Sequence, residues 1–265
     1  MSREFTNYSQ HSGTQAKQSE KILQELEEVA GKEIKSGESI NTVLDAGCGD
    51  GEVTEQLYNL LKTDLGIDQL RVLGIDKTGK RLKTAKKKHS NPDISYLQAD
   101  LVDSPVTYQF DVVFSNAALH WVEEQDKLYQ NFANILRKDG VLAVHQGAAG
   151  SYIELHEVAV ETAQEMGLGI RKPKMPPAYL EPGEAEKILQ KHGFKIVNMD
   201  AVEYPIEGKQ IVRDFAEASL SAYFDFMADE KVEAFKKRFV ENGFRYVEEG
   251  GSVAARRLYF TALRK

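Results

Sequence analysis

Three alternating glycines, Gly47, Gly49 and Gly51, follow the apolar run Thr42 to Ala46, and Asp45 stands two residues ahead of the first of them. Glycines between a strand and a helix permit positive φ and let a ligand come close to the backbone. Glu52 to Lys62, with Val53, Leu57, Leu60 and Leu61 on one face, reads as the helix whose first turn offers unpaired N–H groups. This is a cradle for a nucleotide-type ligand. Two later apolar runs end in acids, Leu70 to Asp76 and Ile94 to Leu101, the latter carrying Asp100. At the carboxyl end of a parallel strand Asp76 can accept from both hydroxyls of a ribose, and it also suits the N-cap of the helix that follows. Asp100 can accept from an exocyclic amino group, and Leu101 supplies an apolar wall for a purine. A fourth run, Phe110 to Asn116, leads at once into Ala117-Ala118-Leu119-His120-Trp121, and a fifth, Val141 to His145, ends in a second histidine.

The elements that must position these groups alternate as strand and helix five times, which predicts an α/β fold with a doubly wound, mostly parallel sheet and right-handed crossovers. Residues 1–19 are polar and aperiodic, and the first helix is expected over Glu20 to Glu33. Lys77 to His89 reads as a basic helix with a solvated outer face, and Ile135 to Asp139 as the end of a helix capped by Gly140. From residue 150 the simple rhythm stops. Helices over 153–167 and within 210–243, the latter rich in Phe215, Tyr223, Phe224, Phe226, Phe235 and Phe239, suggest a cap that lines a substrate chamber or simply packs as core. Lys172 to Pro177 is a stiff extended loop, 181–193 a helix, Phe194 to Val202 a sixth strand, and Ala254 to Leu263 a seventh, expected at the sheet edge. The domain boundaries that follow are 1–41 for an N-terminal leader and helix, 42–149 for the cofactor core, 150–253 for the helical cap with the sixth strand, and 254–265 for the final edge strand.

A chain of 265 residues with 42% hydrophobic content suits one sizeable domain, and no stretch has the apolar length of a membrane span. Met1 to Glu20 lacks the apolar region of a signal peptide, so a cytoplasmic protein is expected. A formal charge of −7 argues against nucleic acid or an anionic membrane as partner. The single cysteine, Cys48, excludes an internal disulfide and reads as a small buried residue. No metal site is expected.

Spacing narrows the ligand. A dinucleotide fingerprint places a small residue where this chain has Glu52, and an acid there would crowd the helix and repel a pyrophosphate. The pattern Asp45-x-Gly47-x-Gly49-x-Gly51 instead resembles the first motif of the class I S-adenosylmethionine-dependent methyltransferases, and Asp76, Asp100-Leu101 and Phe110 to Asn116 resemble their next three motifs in order and spacing. The resemblance implies a Rossmann-like methyltransferase fold of seven strands with a helical cap inserted after the fifth. It implies that Asp45, Gly47 and Gly49 hold the methionine part of S-adenosylmethionine, Asp76 the ribose hydroxyls, Asp100 and Leu101 the adenine, and Asn116 with Ala117 the strand end beside the sulfonium, with Lys77 and Trp121 as further cofactor contacts. The leader Tyr8-x-x-x-Ser12-x-x-Gln15, the run Ser115 to Trp121 and the run Arg256 to Ala262 are similar to a subgroup containing trans-aconitate, juvenile hormone acid and malonyl carrier-protein methyltransferases, whose members esterify carboxylates. Tyr8 and Gln15 would then close over the cofactor.

Methyl transfer from a sulfonium is an in-line displacement, so the protein mainly aligns the partners in a dry site. A carboxylate, with a reference pKa of about 4, needs no base. An amine, thiol or phenol acceptor calls for one, with His120 and Tyr8 as the catalytic candidates and His145 as the second histidine. His120, Trp121, His145 and Arg257 are the expected substrate contacts. Arg256, Arg213, Arg171 and Lys172 are further cations, and strand alternation turns only one of Arg256 and Arg257 to the site. The expected activity is O-methylation of a small-molecule carboxylate by a monomer or homodimer. N-, C- or hydroxyl-directed transfer and a non-catalytic S-adenosylmethionine binder are the alternatives, and a nicotinamide dehydrogenase is disfavoured by Glu52.

Overall fold

The structure is a computed structural model that describes residues 12–35, 37, 39–168, 179–220 and 229–265. Its centre is a seven-stranded sheet in the order β3-β2-β1-β4-β5-β7-β6, built from β1 (Thr42–Ala46), β2 (Arg71–Asp76), β3 (Ile94–Gln98), β4 (Phe110–Asn116), β5 (Leu136–Gly147), β6 (Phe194–Ile206) and β7 (Val253–Arg264). The first five strands are mutually parallel, and β7 runs antiparallel to both β5 and β6. The last strand therefore lies inside the sheet, not at the expected edge, and β6 takes the edge. Buried residues in β1, β2, β4 and β5 are dominated by Val, Leu, Ile and Phe, as strands covered on both faces require.

Alternate residues split the core in two. On one face Val43, Val72, Val112, Phe114, Val141, Ala143 and Tyr259 pack with Ile22, Leu26 and Val29 of α1 (Ser12–Lys35) and with Leu57 of α2 (Glu52–Asn59). On the other, Leu44, Ile75, Val113, Leu142 and Phe260 meet Leu128 and Phe132 of α4 (Gln125–Ile135) and Leu189 of α6 (Pro182–Lys191). At roughly 1.5–3 kcal/mol for each large apolar side chain removed from water, these two layers hold the sheet together. Asp111 clips the amino ends of three strands: its Oδ2 accepts from the Thr42 amide at 2.8 Å and its Oδ1 from Arg137 Nε at 2.6 Å. α3 (Gly79–Lys88) carries the basic run on its outside and buries Leu82 and Ala85.

Several boundaries differ from the sequence expectation. α1 starts at Ser12, not Glu20, because Gln18 and Ser19 are buried although polar. α4 ends at Ile135 and β5 begins at once at Leu136; the left-handed residue is Asp139, with φ of 60°, and Gly140 is no helix cap. A Cβ at Gly140 would lie 2.9 Å from the Arg137 carbonyl oxygen, which is why that position is glycine. The cap consists of α5 (Ile153–Glu165), α7 (Gln210–Ala218) and α8 (Asp229–Glu248). Phe215, Phe235 and Phe239 bury against one another and against Leu155 there, so they serve as the core of the cap. Tyr223, Phe224 and Phe226 and the 172–177 loop lie outside the described residues. No described helix is long and apolar enough to cross a membrane.

Candidate active site

The strand order reverses between β1 and β4, and the crevice at the carboxyl ends of strands on either side of such a switch is where open α/β sheets bind ligands. Register and alternation bring Asp45, Asp76, Asn116, His145 and Arg257 to the α1-covered side of that edge. α1 packs across β5 and β7, and Lys21 of its N-terminal half lies over the Tyr259 ring at 5.2 Å. Its first turns, with Gln18 buried and Gln18 Nε2 unpartnered, therefore point toward the same edge. Gln15 is described only as a backbone position of α1, and Tyr8, Arg171 and Lys172 lie outside the described residues.

The glycines have different tasks. Gly47, with φ of 86°, donates its N–H to the Ile75 carbonyl at 2.7 Å, and a Cβ there would stand 2.2 Å from that of Ala118. It is glycine so that the loops after β1 and β4 can touch. Gly49, with φ of 56°, faces open space: a Cβ there would meet nothing nearer than Arg81 Nη1 at 3.9 Å. Below them Asp45 accepts from the Thr54 hydroxyl at 2.7 Å. Burial pushes its carboxyl up to about 7, with the Thr54 bond opposing and the Asp76 charge adding to the rise. Asp76 accepts from the Gly49 N–H at 3.1 Å through one oxygen and from the Thr78 N–H at 2.7 Å through the other, so the acid that would meet a ribose also ties the glycine loop to the start of α3. Each oxygen keeps acceptor capacity.

At the far end of the cradle Asp100 is exposed and accepts from the Val102 N–H at 2.9 Å. Leu101 lines a cavity of about 270 Å³ with Leu44, Ile75 and Phe132. That cavity lies on the α4 side of the sheet, where the β3–β4 connection is a loop without a helix. Lys77 is exposed, and its carbonyl accepts from Gln98 Nε2 at 3.1 Å. Cys48 is buried, and burial drives its thiol pKa upward, as expected of an inert residue.

Beyond β4, Ala117 is left-handed, with φ of 54°, and its N–H donates to the His145 carbonyl at 2.8 Å. His145 Nδ1 lies 2.6 Å from Asn116 Oδ1, which can only accept, so the proton is assigned to Nδ1 and Nε2 carries a lone pair. That Nε2 is buried without a partner, and the ring stacks on Tyr259 at 4.6 Å. His120 has the opposite tautomer: its Nδ1 accepts from the Gly147 N–H at 3.3 Å, which leaves the proton on Nε2. Trp121, 41% exposed, and Tyr179 flank it with ring centroids at 5.2 and 5.6 Å. Burial and the nearby Arg257 charge lower the His120 pKa to about 3 and hold His145 well below the ordinary histidine value.

Among the described candidate cations only Arg257 is turned to this place. Arg256 donates to Glu203 at 2.8 Å and to the Gly150 carbonyl at 2.8 Å, and Arg213 lies over the Phe244 ring at 5.2 Å. Arg257 donates from Nη2 to the Tyr152 hydroxyl at 3.0 Å, its Nε is buried without a partner, and among the described residues it has no carboxylate partner. Tyr152, Tyr179 and Thr54 are the site residues that sequence reasoning missed. Tyr152 and Tyr179 sit in connections with no periodicity to expose them, whereas Thr54 stands nine residues after Asp45 on a helix already expected, where its hydroxyl could have been placed.

Residues 44–144 match the Methyltransferase domain family. An uncharacterized methyltransferase of Schizosaccharomyces pombe is 27% identical over 198 residues, 70% of this chain and 71% of that protein. The juvenile hormone acid O-methyltransferase of Bombyx mori is 33% identical over 118 residues, 43% of this chain and 41% of its own length. The chain thus spans less than half of that second relative. The crystal structure of a putative sarcosine dimethylglycine methyltransferase from Galdieria sulphuraria shares the fold with a TM-score of 0.58 at 12% identity, over 94% of this chain and 86% of the other. The residues present fit S-adenosylmethionine: Gly49 leaves an open side that a Cβ would fill, and Asp76 keeps acceptor capacity for hydroxyls. The domain match over residues 44–144, the relatives and the seven-stranded switch-point fold agree in indicating an S-adenosylmethionine-dependent methyltransferase.

Proposed function

We propose that this chain methylates a carboxylate oxygen of a small molecule. The observation that carries the proposal is the charge state of the acceptor side: both histidines are held neutral, beside a guanidinium without a carboxylate partner among the described residues. An imidazole with a pKa near 3 is a poor base for a hydroxyl or an ammonium group, so the acceptor has to arrive ionised. A carboxylate does so at neutral pH. The name of the Bombyx mori relative, an acid O-methyltransferase, supports the same class.

S-adenosylmethionine supplies an electrophilic methyl group on a positively charged sulfur. The chain contributes position and dryness. Gly47, Gly49 and Asp45 hold the methionine end, Asp76 the ribose, with Asp100 and Leu101 at the adenine end. Asn116, pinned by His145, fixes the strand end beside the reacting groups, and His120 offers its Nε2–H to an acceptor oxygen. Arg257 draws anions to the crevice.

The test is calorimetric titration with S-adenosylhomocysteine followed by a screen of carboxylic acids for methyl esters by mass spectrometry. Binding weakened at least 100-fold by Asp76→Ala, with ester formation whose kcat is flat between pH 6 and 8, is the expected result. A rate that rises through that range and collapses in His120→Gln would show base catalysis on another kind of acceptor and overturn the carboxylate reading.

A further inference from the structure

We propose that Arg257 and Tyr152 form an anion subsite separate from the methyl-accepting position, so that the preferred substrates are acids bearing a second anionic group. The inference rests on the carboxylate reading above and sharpens it. A guanidinium that grips a carboxylate through two N–H bonds occupies its lone pairs and stabilises its charge, which blunts the nucleophile an in-line displacement needs. The anion held by Arg257 is therefore not the one that reacts.

The placement of Arg257 agrees. Asn116 and Ala117 end β4, whereas Arg257 lies on β7, two strands away, and pairs with Gly147, two residues beyond the His145 that faces Asn116. Two strand spacings of roughly 4.8 Å and two residues of roughly 3.3 Å separate the backbones by about 11–12 Å. A substrate reaching from the β4 edge to the guanidinium therefore bridges that gap less the length of the arginine side chain, a span on the scale of a four- to six-carbon diacid.

The subsite is built rather than incidental. Tyr152 is one of three described non-glycine residues with positive φ, at 57°. That conformation is strained for a residue with a side chain, and the fold maintains it through the bond from the Tyr152 N–H to the Ala254 carbonyl at 2.8 Å. In that conformation its hydroxyl accepts from Arg257 Nη2, its ring lies 5.6 Å from the guanidinium carbon, and its far side meets Phe215 of α7 edge-on at 6.1 Å. Arg257 Nε remains buried with nothing to donate to. Tyr152 is thus a positioning residue: it aims the fork and ties it to the cap.

The experiment compares four- to six-carbon dicarboxylates with their monomethyl esters, which carry one carboxylate and cannot fill both positions, in the wild type, Arg257→Gln, Arg257→Lys and Tyr152→Phe. In the wild type the diacid is expected to exceed its half-ester at least 10-fold in kcat/KM. That ratio should collapse toward 1 in Arg257→Gln, fall partway in Arg257→Lys, which keeps charge without the fork, and fall in Tyr152→Phe through KM with kcat held within about twofold. Equal use of diacid and half-ester by the wild type, or a ratio unmoved by Arg257→Gln in a variant with wild-type thermal stability, overturns the subsite and leaves carboxylate methylation standing. No ester from any acid, with S-adenosylhomocysteine binding intact, overturns the carboxylate reading and the subsite with it.

Discussion

If Asp45 holds the methionine end of the cofactor as proposed, binding depends on pH in a direction set by the burial of its carboxyl. Its carboxyl is buried beneath the glycine loop with a pKa of about 7, and its one hydrogen bond comes from Thr54. A ligand that brings an ammonium group to this end of the cradle binds the ionised form in preference, so binding releases a proton below pH 7. If only the ionised form binds, affinity scales with the ionised fraction, and the Kd for S-adenosylhomocysteine falls about 25-fold between pH 5.5 and pH 7.5, close to 2 kcal/mol. His120, with a pKa of about 3, does not contribute across that range, and burial holds His145 well below the ordinary histidine value. Calorimetry in two buffers of different ionisation enthalpy measures the Kd and the proton release together. Asp45→Asn should bind more weakly at pH 7.5 and show little slope, while Thr54→Val, which removes the bond opposing the rise, should move the midpoint upward. In the free chain the sign is reversed. The raised pKa makes the contribution of Asp45 to stability fullest below about pH 4, and that contribution is lost as pH rises through 7, by at most about 4 kcal/mol. A wild-type Kd constant within twofold from pH 5.5 to 7.5, or an equal slope in Asp45→Asn, would refute the assignment of Asp45 to the cationic end of the ligand.

Two glycine substitutions should separate packing from binding. Gly47→Ala meets Ala118 at 2.2 Å in a left-handed conformation and should cost roughly 3 kcal/mol or more in stability, read as a lowered denaturation midpoint. Gly49→Ala has room and should cost only about 1–2 kcal/mol, yet weaken S-adenosylhomocysteine at least 10-fold because its methyl enters the open side; equal stability losses with equal binding would contradict the division of roles. His120 supplies an acid-side test. Its pKa of about 3 against about 6.5 unfolded means that the stability it contributes is complete above pH 6.5 and drains away as pH falls toward 3. His120→Gln should therefore lose about 2–3 kcal/mol less than the wild type between pH 6.5 and 4.5 in denaturant titrations, and identical losses would show that the imidazole is not held neutral.

The parts of the site carried by regular strands were legible because two properties of a parallel sheet, alternation and register, act on residues whose types are already visible. Asp45, Asp76, Asn116, His145 and Arg257 each sit at or near the end of an apolar run, and once the runs pair in the order observed they must share a face. The start of α1 escaped because Gln18 and Ser19 are buried polar residues, which hydrophobic periodicity counts as solvent-facing. The place of β7 escaped for a different reason. Its Arg256-Arg257 pair looks like an edge, but the run from Leu258 to Ala262 is buried on both faces, while β6 exposes Lys195, Asn198, Asp200 and Glu203 in near alternation, the pattern of a strand that must discourage further pairing.

Tyr152 and the tautomer of His120 were out of reach altogether, since each depends on a contact between segments far apart in sequence. The Tyr152 hydroxyl meets an arginine 105 positions away, and the His120 ring is oriented by the Gly147 amide 27 positions on. The same division separates what cofactor and substrate require. Binding S-adenosylmethionine draws on strand ends and a glycine turn, which sequence patterns encode locally. The proposed acceptor side is assembled where the β4 turn, the end of β5, the approach to the cap and β7 converge, so on that proposal selectivity follows how the cap packs on the sheet edge and changes with Tyr152 and Arg257 while the glycine motif stays the same.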